Sequence, residues 1–296
     1  MGRAAGIWPY LCLVPAVALF FVFQLVPSLA TSIFSFTDYT GLPHTPMHWI
    51  GIENYVELLT GGRYFLLLAI QVTVIFSILV TVVQNGLAVL VAWLLNSNFH
   101  GQVLVRSLVF LPVVLGATIN GLVWYVMFNP LSGPVTVVLS ALGVPSNLLG
   151  TTATALYAVI FVQIWANLGF SMIIFLAGMQ GIPTEVYEAG VIDGTSAWDA
   201  FRHLTIPLLA PSITINVLLA VIGSMTTYEL IFVLTDGGPA YTSQTLGMYV
   251  FNQAFYSTSG NNLPGFAAAV AMVQFALVFA VVLVMQYYLR RREAVL

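Results

Sequence analysis

Amide side chains set beside aromatic rings are the groups in this sequence with the most evident chemistry. Asn120 lies four residues before Trp124, Gln163 and Asn167 flank Trp165, and Tyr228 precedes Glu229. Asn216 and Gln274 complete the set. All stand in or beside long apolar runs. Polar side chains in hydrocarbon are costly and turn toward protein or a water-filled path. Amides and carboxylates exchange hydrogen bonds with hydroxyls, and a flat ring offers a face to stack on. The mixture is suited to contacts with a hydroxyl-bearing solute. The competing role is hydrogen bonding between helices, which averages about 0.6 kcal/mol per contact. A second polar concentration lies in residues 178–208, where Glu185, Glu188, Asp193 and Asp199 are joined by Arg202.

Other chemistry is excluded by what is missing. The seven cations are Arg3, Arg63, Arg106, Arg202 and Arg290 to Arg292, so the chain has no lysine. A Walker A loop places a lysine on nucleotide phosphates, and imine chemistry needs a lysine amine. No cofactor is therefore expected on this chain, and any ATP and Mg it depends on would be bound by another polypeptide. Cys12 is the one cysteine, in an apolar run where it reads as a small hydrophobe. His44, His48, His100 and His203 are scattered without metal-ligand spacing. Neither a metal site nor a catalytic pair is expected.

The elements that must position these residues follow from composition. Sixty per cent of the 296 residues are hydrophobic and 6% are charged, against about 25% charged in soluble domains. This excludes a soluble enzyme and a nucleic-acid binder, and leaves an all-α polytopic membrane protein. A spanning helix takes about 20 apolar residues. Six are expected, at about 8–34, 65–95, 107–128, 155–177, 209–233 and 264–289, in a single transmembrane domain of residues 1–296. Asn129-Pro130, Gly133-Pro134, Gly143 and Pro145 break the uncharged Ser107–Thr184 stretch into two helices. The first run is too long for a signal-peptide core of about 7–15 residues. With both termini cytoplasmic, six arginines fall inside and Arg63 outside, which follows the positive-inside rule.

The cytoplasmic segment 178–208 reads as two short helices parted by Gly194. Thr184 and Ser196 are suited to cap them, and Val186, Ala189, Val191 and Ile192 supply apolar contacts. Trp198, Phe201 and Leu204 form a stripe, and Pro207 is placed to stop the second helix. On periodicity alone this is an amphipathic pair at the membrane face. The residues Glu188-Ala189-Gly190, then Gly194, then Leu204-Thr205-Ile206-Pro207 closely resemble the EAA loop of bacterial ABC importer permeases. Glycine replaces the second alanine, and the aliphatic pair before the proline is exchanged. Trp49 to Tyr55, then Gly101, Arg106 and Leu111-Pro112, then Leu234 to Pro239 resemble the carbohydrate branch of that family, so the likeness covers nearly the whole chain.

The resemblance implies a type I ABC importer permease fold and a coupling role for Glu188, Ala189, Gly190, Asp193, Gly194, Leu204 and Pro207. It implies two ABC ATPase subunits, a second homologous permease, an extracytoplasmic substrate-binding protein and a bacterial inner-membrane location. The substrate would be a carbohydrate or polyol, moved by alternating access along a path that draws on Asn120, Trp124, Gln163, Asn167, Asn216, Tyr228, Glu229 and Gln274. The absence of intramembrane Arg or Lys disfavours a strongly anionic substrate. The alternative is a secondary, ion-coupled small-solute transporter, which should show several intramembrane acids or inverted repeats of broken helices; Glu229 is the lone candidate acid. An intramembrane enzyme would need a catalytic pair at membrane depth, and the spans hold no Asp or His.

Overall fold

The computed structural model describes residues 8–61, 63–97, 99–144, 146–256 and 263–293. Arg3 and Pro145 lie outside the described residues, as do the side chains of Cys12, Arg63, Arg290 and Arg292. The helices are α1 (Trp8–Phe20), α2 (Val26–Phe34), α3 (Glu53–Thr60), α4 (Arg63–Leu94), α5 (Gln102–Met127), α6 (Pro134–Ala141) and α7 (Ala155–Gln180). They continue with α8 (Thr184–Ile192), α9 (Ala197–Ala200), α10 (Ile206–Leu208), α11 (Ala210–Thr226), α12 (Glu229–Thr235), α13 (Leu246–Phe255) and α14 (Pro264–Glu293). Among the described residues the only strand-like pairing is an isolated bridge between Thr37 and Trp49, so the fold is all-α.

Among the described residues five stretches are long and apolar enough to cross a bilayer: Leu13–Phe34, Phe65–Leu94, Gln102–Met127, Ala155–Gln180 and Pro264–Leu289. In lipid, each backbone polar group must be satisfied within the protein, which is why such runs are helical. The fifth expected span, 209–233, is not one helix. α11 ends at Thr226, Thr227 is extended (φ −65°, ψ 136°), and α12 starts at Glu229. Thr245 Oγ1 donates to the Thr227 carbonyl at 3.0 Å, giving the broken backbone a partner. Before α11, residues Ala197–Leu208 meet it at a 71° bend.

Prolines shape three of these helices. A π-turn, Phe21–Leu25, precedes Pro27 in α2, and another, Phe201–Thr205, precedes Pro207 in α10. In each, the residue before the proline donates five residues back, Val26 to Phe21 and Ile206 to Phe201. A proline has no N–H to give, and its ring collides with the carbonyl four residues earlier. Widening the preceding turn by one residue removes the collision. Pro207 therefore does not stop its helix as the sequence suggested; the chain turns helically through it and bends at Leu209. In α5, Pro112 is followed by a kink at Gly116 (φ 75°, ψ 163°).

The described residues cluster in two compact units. The first holds residues up to Tyr64 with Val250–Phe275, and the second holds Phe65–Tyr249 with residues from Ala276 on. In the first, Gly265 N–H donates to the Tyr39 carbonyl at 2.9 Å. In the second, α5 packs on α7 and α12, and α11 packs on α7. Its core joins Ala88, Ala92 and Leu95 of α4 and its end to Met172, Phe175 and Met179 of α7, together with Phe201 and Leu209.

Candidate functional site

Polar side chains knit α4, α7 and α11 together inside the second unit. Gln84 Nε2 donates to Ser171 Oγ at 2.8 Å, and Asn216 Nδ2 donates to the Ser171 carbonyl at 3.2 Å. Ser224 Oγ donates to Ser77 Oγ at 2.8 Å. Between these helices opens a cavity of about 180 Å3 lined by Gln84, Gln163, Asn167, Phe170, Ser171 and Ser224 among others, none of them charged. Its amides and hydroxyls can donate to and accept from hydroxyls, and Phe170 supplies a ring face. It offers no group that would shuttle a proton near neutral pH.

Two of the sequence candidates meet at this cavity. Gln163 and Asn167 line it. Asn216 is buried one layer behind, on the backbone of the wall residue Ser171. Asn120 is buried with its Nδ2 on the Pro112 carbonyl at 2.8 Å. Trp124 packs in an aromatic group with Phe128, Phe161 and Trp165, at ring-centroid distances of 5.1, 5.0 and 5.4 Å. Tyr228 and Glu229 sit exposed at the break between α11 and α12. Gln274 is buried in the first unit, on α14. Sequence reasoning missed Ser171 and Ser224 as lining residues. Gln84 was visible as an amide in an uncharged run, whereas serines are common enough in such helices to give no signal.

The second candidate surface is the 178–208 segment. α8 ends in a Schellman arrangement: Thr195 N–H donates to the Gly190 carbonyl at 3.0 Å and Gly194 N–H to Val191 at 3.0 Å. Gly194 has φ +76°, the left-handed conformation that side chains disfavour. α8 has no side-chain cap from Thr184, because Pro183 occupies the cap position. Ser196 does cap α9, accepting from Asp199 N–H at 3.1 Å and donating to Asp199 Oδ2 at 2.5 Å. That hydroxyl holds the Asp199 carboxyl below the usual carboxylate range.

The segment is fastened to the core by its second half. Phe201 is buried among α4 and α7 residues, and Trp93, Trp198 and Phe201 contact one another at 4.8 to 5.9 Å between ring centroids. Tyr187 Oη pairs with Thr205 Oγ1 at 3.1 Å. Gly190 is buried under Leu204: a Cβ there would lie 2.9 Å from Leu204 Cδ1 and 2.9 Å from Thr195 Oγ1. The glycine at the second alanine position of the motif thus answers to the leucine fourteen residues on. Leu204 and Pro207 are half-buried supports, whereas Glu188, Ala189, Asp193 and Gly194 are exposed. Val191 and Ile192, read from sequence as apolar contacts, are 73% and 86% exposed at the tip of α8. Adjacent exposed apolar side chains rimmed by acids are the pattern of a protein- or membrane-contact surface.

No family model matches the chain. It is 33% identical over 96% of its length, and 96% of the relative's, to the multiple sugar-binding transport system permease protein MsmF of Streptococcus mutans. It is 31% identical to the trehalose/maltose transport system permease protein MalF of Thermococcus litoralis, over 93% of this chain and 91% of that one. The sn-glycerol-3-phosphate transport system permease protein UgpA of Brucella suis is also 31% identical, with 93% and 92% covered. Among solved structures, a bacterial ABC transporter involved in import of the acidic polysaccharide alginate matches with TM-score 0.80 at 22% identity, covering 96% of both chains. A bacterial alginate ABC transporter in complex with an alginate pentasaccharide-bound periplasmic protein matches with TM-score 0.82 at 21% identity, covering 97% of this chain and 96% of that one.

Proposed function

The chain belongs to the permease family of sugar ABC importers, multi-pass proteins of the bacterial inner membrane, and from that premise we propose that it is the translocating subunit of an ATP-driven, binding-protein-dependent importer of a neutral carbohydrate or polyol. The tip of α8 carries this reading. Val191 and Ile192 stand exposed beside Glu188 and Asp193, on a segment whose other half is locked to the core through Phe201. Such an element can receive a push from a partner and pass it to α4 and α7 without unravelling.

The partner is an ABC ATPase subunit, present in two copies in the assembly, which binds the ATP and Mg that this lysine-free chain has no phosphate loop to hold. A second homologous permease completes the path, and an extracytoplasmic substrate-binding protein delivers the sugar. Both termini and α8 face the cytoplasm in this reading, which the bias of arginines toward that side supports. The cavity of Gln84, Gln163, Asn167 and Ser171 takes the sugar midway. Closure of the ATPases pushes α8, and the helices around the cavity rock to open it to alternate sides.

The reading is tested by co-purification. Ile192→Glu should abolish association with the ATPase while the chain still inserts in the membrane, and Gly194→Val should weaken it by distorting the end of α8. ATPase assembly unchanged by both substitutions would overturn the proposal. The ion-coupled alternative predicts sugar uptake that collapses with the proton gradient in the absence of ATP.

A further inference from the structure

The chain between the first two spans carries a helix with three distinct faces. On α3, Asn54 and Leu58 are buried. Glu53 and Glu57 are exposed on a second face. Ile52, Val56 and Leu59 recur at helical spacing on a third face, and Ile52 and Leu59 are 65% and 60% exposed. At 3.6 residues per turn this apolar stripe lies roughly a third of a turn from the acids and somewhat further from the buried pair. A water-facing helix has no use for a second apolar face.

Hydrogen bonds tie α3 to the end of the first span. Asn54 Nδ2 donates to the carbonyls of Ser35 and Thr37, each at 2.9 Å, and Tyr55 Oη donates to Ser35 Oγ at 2.8 Å. Ser35 is the residue at which α2, the end of the first span, terminates. α4 begins at Arg63, three residues after α3 ends. The helix is therefore held at the end of the first span and leads directly into the next along the chain. Trp49, 67% exposed, stacks on Phe36 at 5.5 Å in the same unit. Tryptophan and tyrosine gather at the membrane–water boundary.

We propose that α3 is an interfacial helix, with the Ile52, Val56 and Leu59 stripe and Trp49 embedded in the lipid boundary layer and Glu53 and Glu57 turned to water. Helices with one strongly apolar and one charged face lie in the interface plane in this way. α3 then acts as a float that sets the depth of the first span.

Spin labels distinguish the possible surroundings. The assembled importer is reconstituted in phosphatidylcholine–phosphatidylglycerol liposomes, with single labels from Ile52→Cys, Val56→Cys, Leu59→Cys and Glu57→Cys in a Cys12→Ser background. At 52, 56 and 59, relaxation by molecular oxygen should exceed relaxation by a water-soluble nickel chelate several-fold, and at 57 the order should reverse. Chelate access at the three stripe positions equal to that at 57 overturns the proposal. Poor access to both reagents also overturns it, because a protein partner then covers the stripe. A check that leaves Cys12 in place puts benzoylphenylalanine at Val56: photocapture of phospholipid is the expected result, and capture of another polypeptide instead is contrary to it.

Discussion

Asn120 Nδ2 reaches eight residues back along its own helix to the Pro112 carbonyl. In a regular helix those positions are about 12 Å apart along the axis, beyond a side-chain amide. The non-helical Gly116 between them brings the two together, so Asn120 spans the kink and holds it. Asn120→Ala should cost about 1–3 kcal/mol, the penalty for leaving a buried carbonyl short of a partner, and lower the thermal midpoint of the purified chain. Gln163→Ala, facing the cavity, should leave that midpoint nearly unchanged while lowering sugar transport. A transport loss from Asn120→Ala with no loss of stability would instead place Asn120 on the substrate path. The cap at Ser196 gives a second test at this scale. Asp199 sits below its ordinary value because the Ser196 hydroxyl donates to it. Its contribution is thus present above the ordinary carboxylate range and lost as pH falls through the lowered folded value. Ser196→Ala should return the Asp199 titration, followed by carboxyl infrared bands, toward 3.8, and should weaken the cap by about 1 kcal/mol.

At the scale of elements, the 178–208 segment depends on two glycines for different reasons. Gly194 needs its left-handed φ, so Gly194→Ala should cost about 1–2 kcal/mol wherever it is measured. Gly190 needs room under Leu204. Gly190→Ala should disturb the loop and reduce sugar-stimulated ATP hydrolysis by the assembled importer, and adding Leu204→Val should restore part of it. A double-mutant cycle with no coupling between 190 and 204 would contradict the packing argument. Uncharged apolar runs announced the helices through which the chain crosses the membrane, because length and hydropathy are averages that survive local irregularity. The irregularities themselves were not legible. Thr227 and Tyr228 break the fifth span beside Ser224, Thr226 and Glu229, a short polar stretch that an average over the whole run conceals. Pro207 and Pro27 carry one signal, a missing donor, that a π-turn absorbs without ending the helix. The exposure of Val191 and Ile192 was hidden because an apolar residue on a short helix has no sequence mark saying which way it faces. Gly190 and Leu204 were both read from the motif, but the contact between them appears only once the two helices are folded together.

For the molecule as a whole, the distribution of charge bears on what the proposed sugar site would accept. The chain devotes 6% of its residues to charge, and none of these lines the cavity between α4, α7 and α11. A neutral site recognises hydroxyls through amides, and it pays for an anion with an uncompensated desolvation cost. Relatives at 31% identity carry names for both a neutral disaccharide and a glycerol phosphate, so family membership alone does not choose between them. Under the proposed function the cavity makes the choice: its lining of glutamine, asparagine and serine with Phe170 and aliphatic side chains suits an uncharged sugar. None of the lining side chains titrates near neutrality. Uptake by the reconstituted importer, with its own binding protein saturated, should therefore be nearly flat between about pH 6 and pH 8 for a neutral sugar. Gln163→Ala or Asn167→Ala should lower the maximal rate and leave that flat profile intact, because each removes a hydrogen-bonding group and no proton. Uptake that rises or falls through a single titration in this range would require an ionisable group on the path that the neutral cavity lacks. An importer that carried only the phosphate or uronate form of its sugar would place the counter-charge, and with it the choice of substrate, on the second permease.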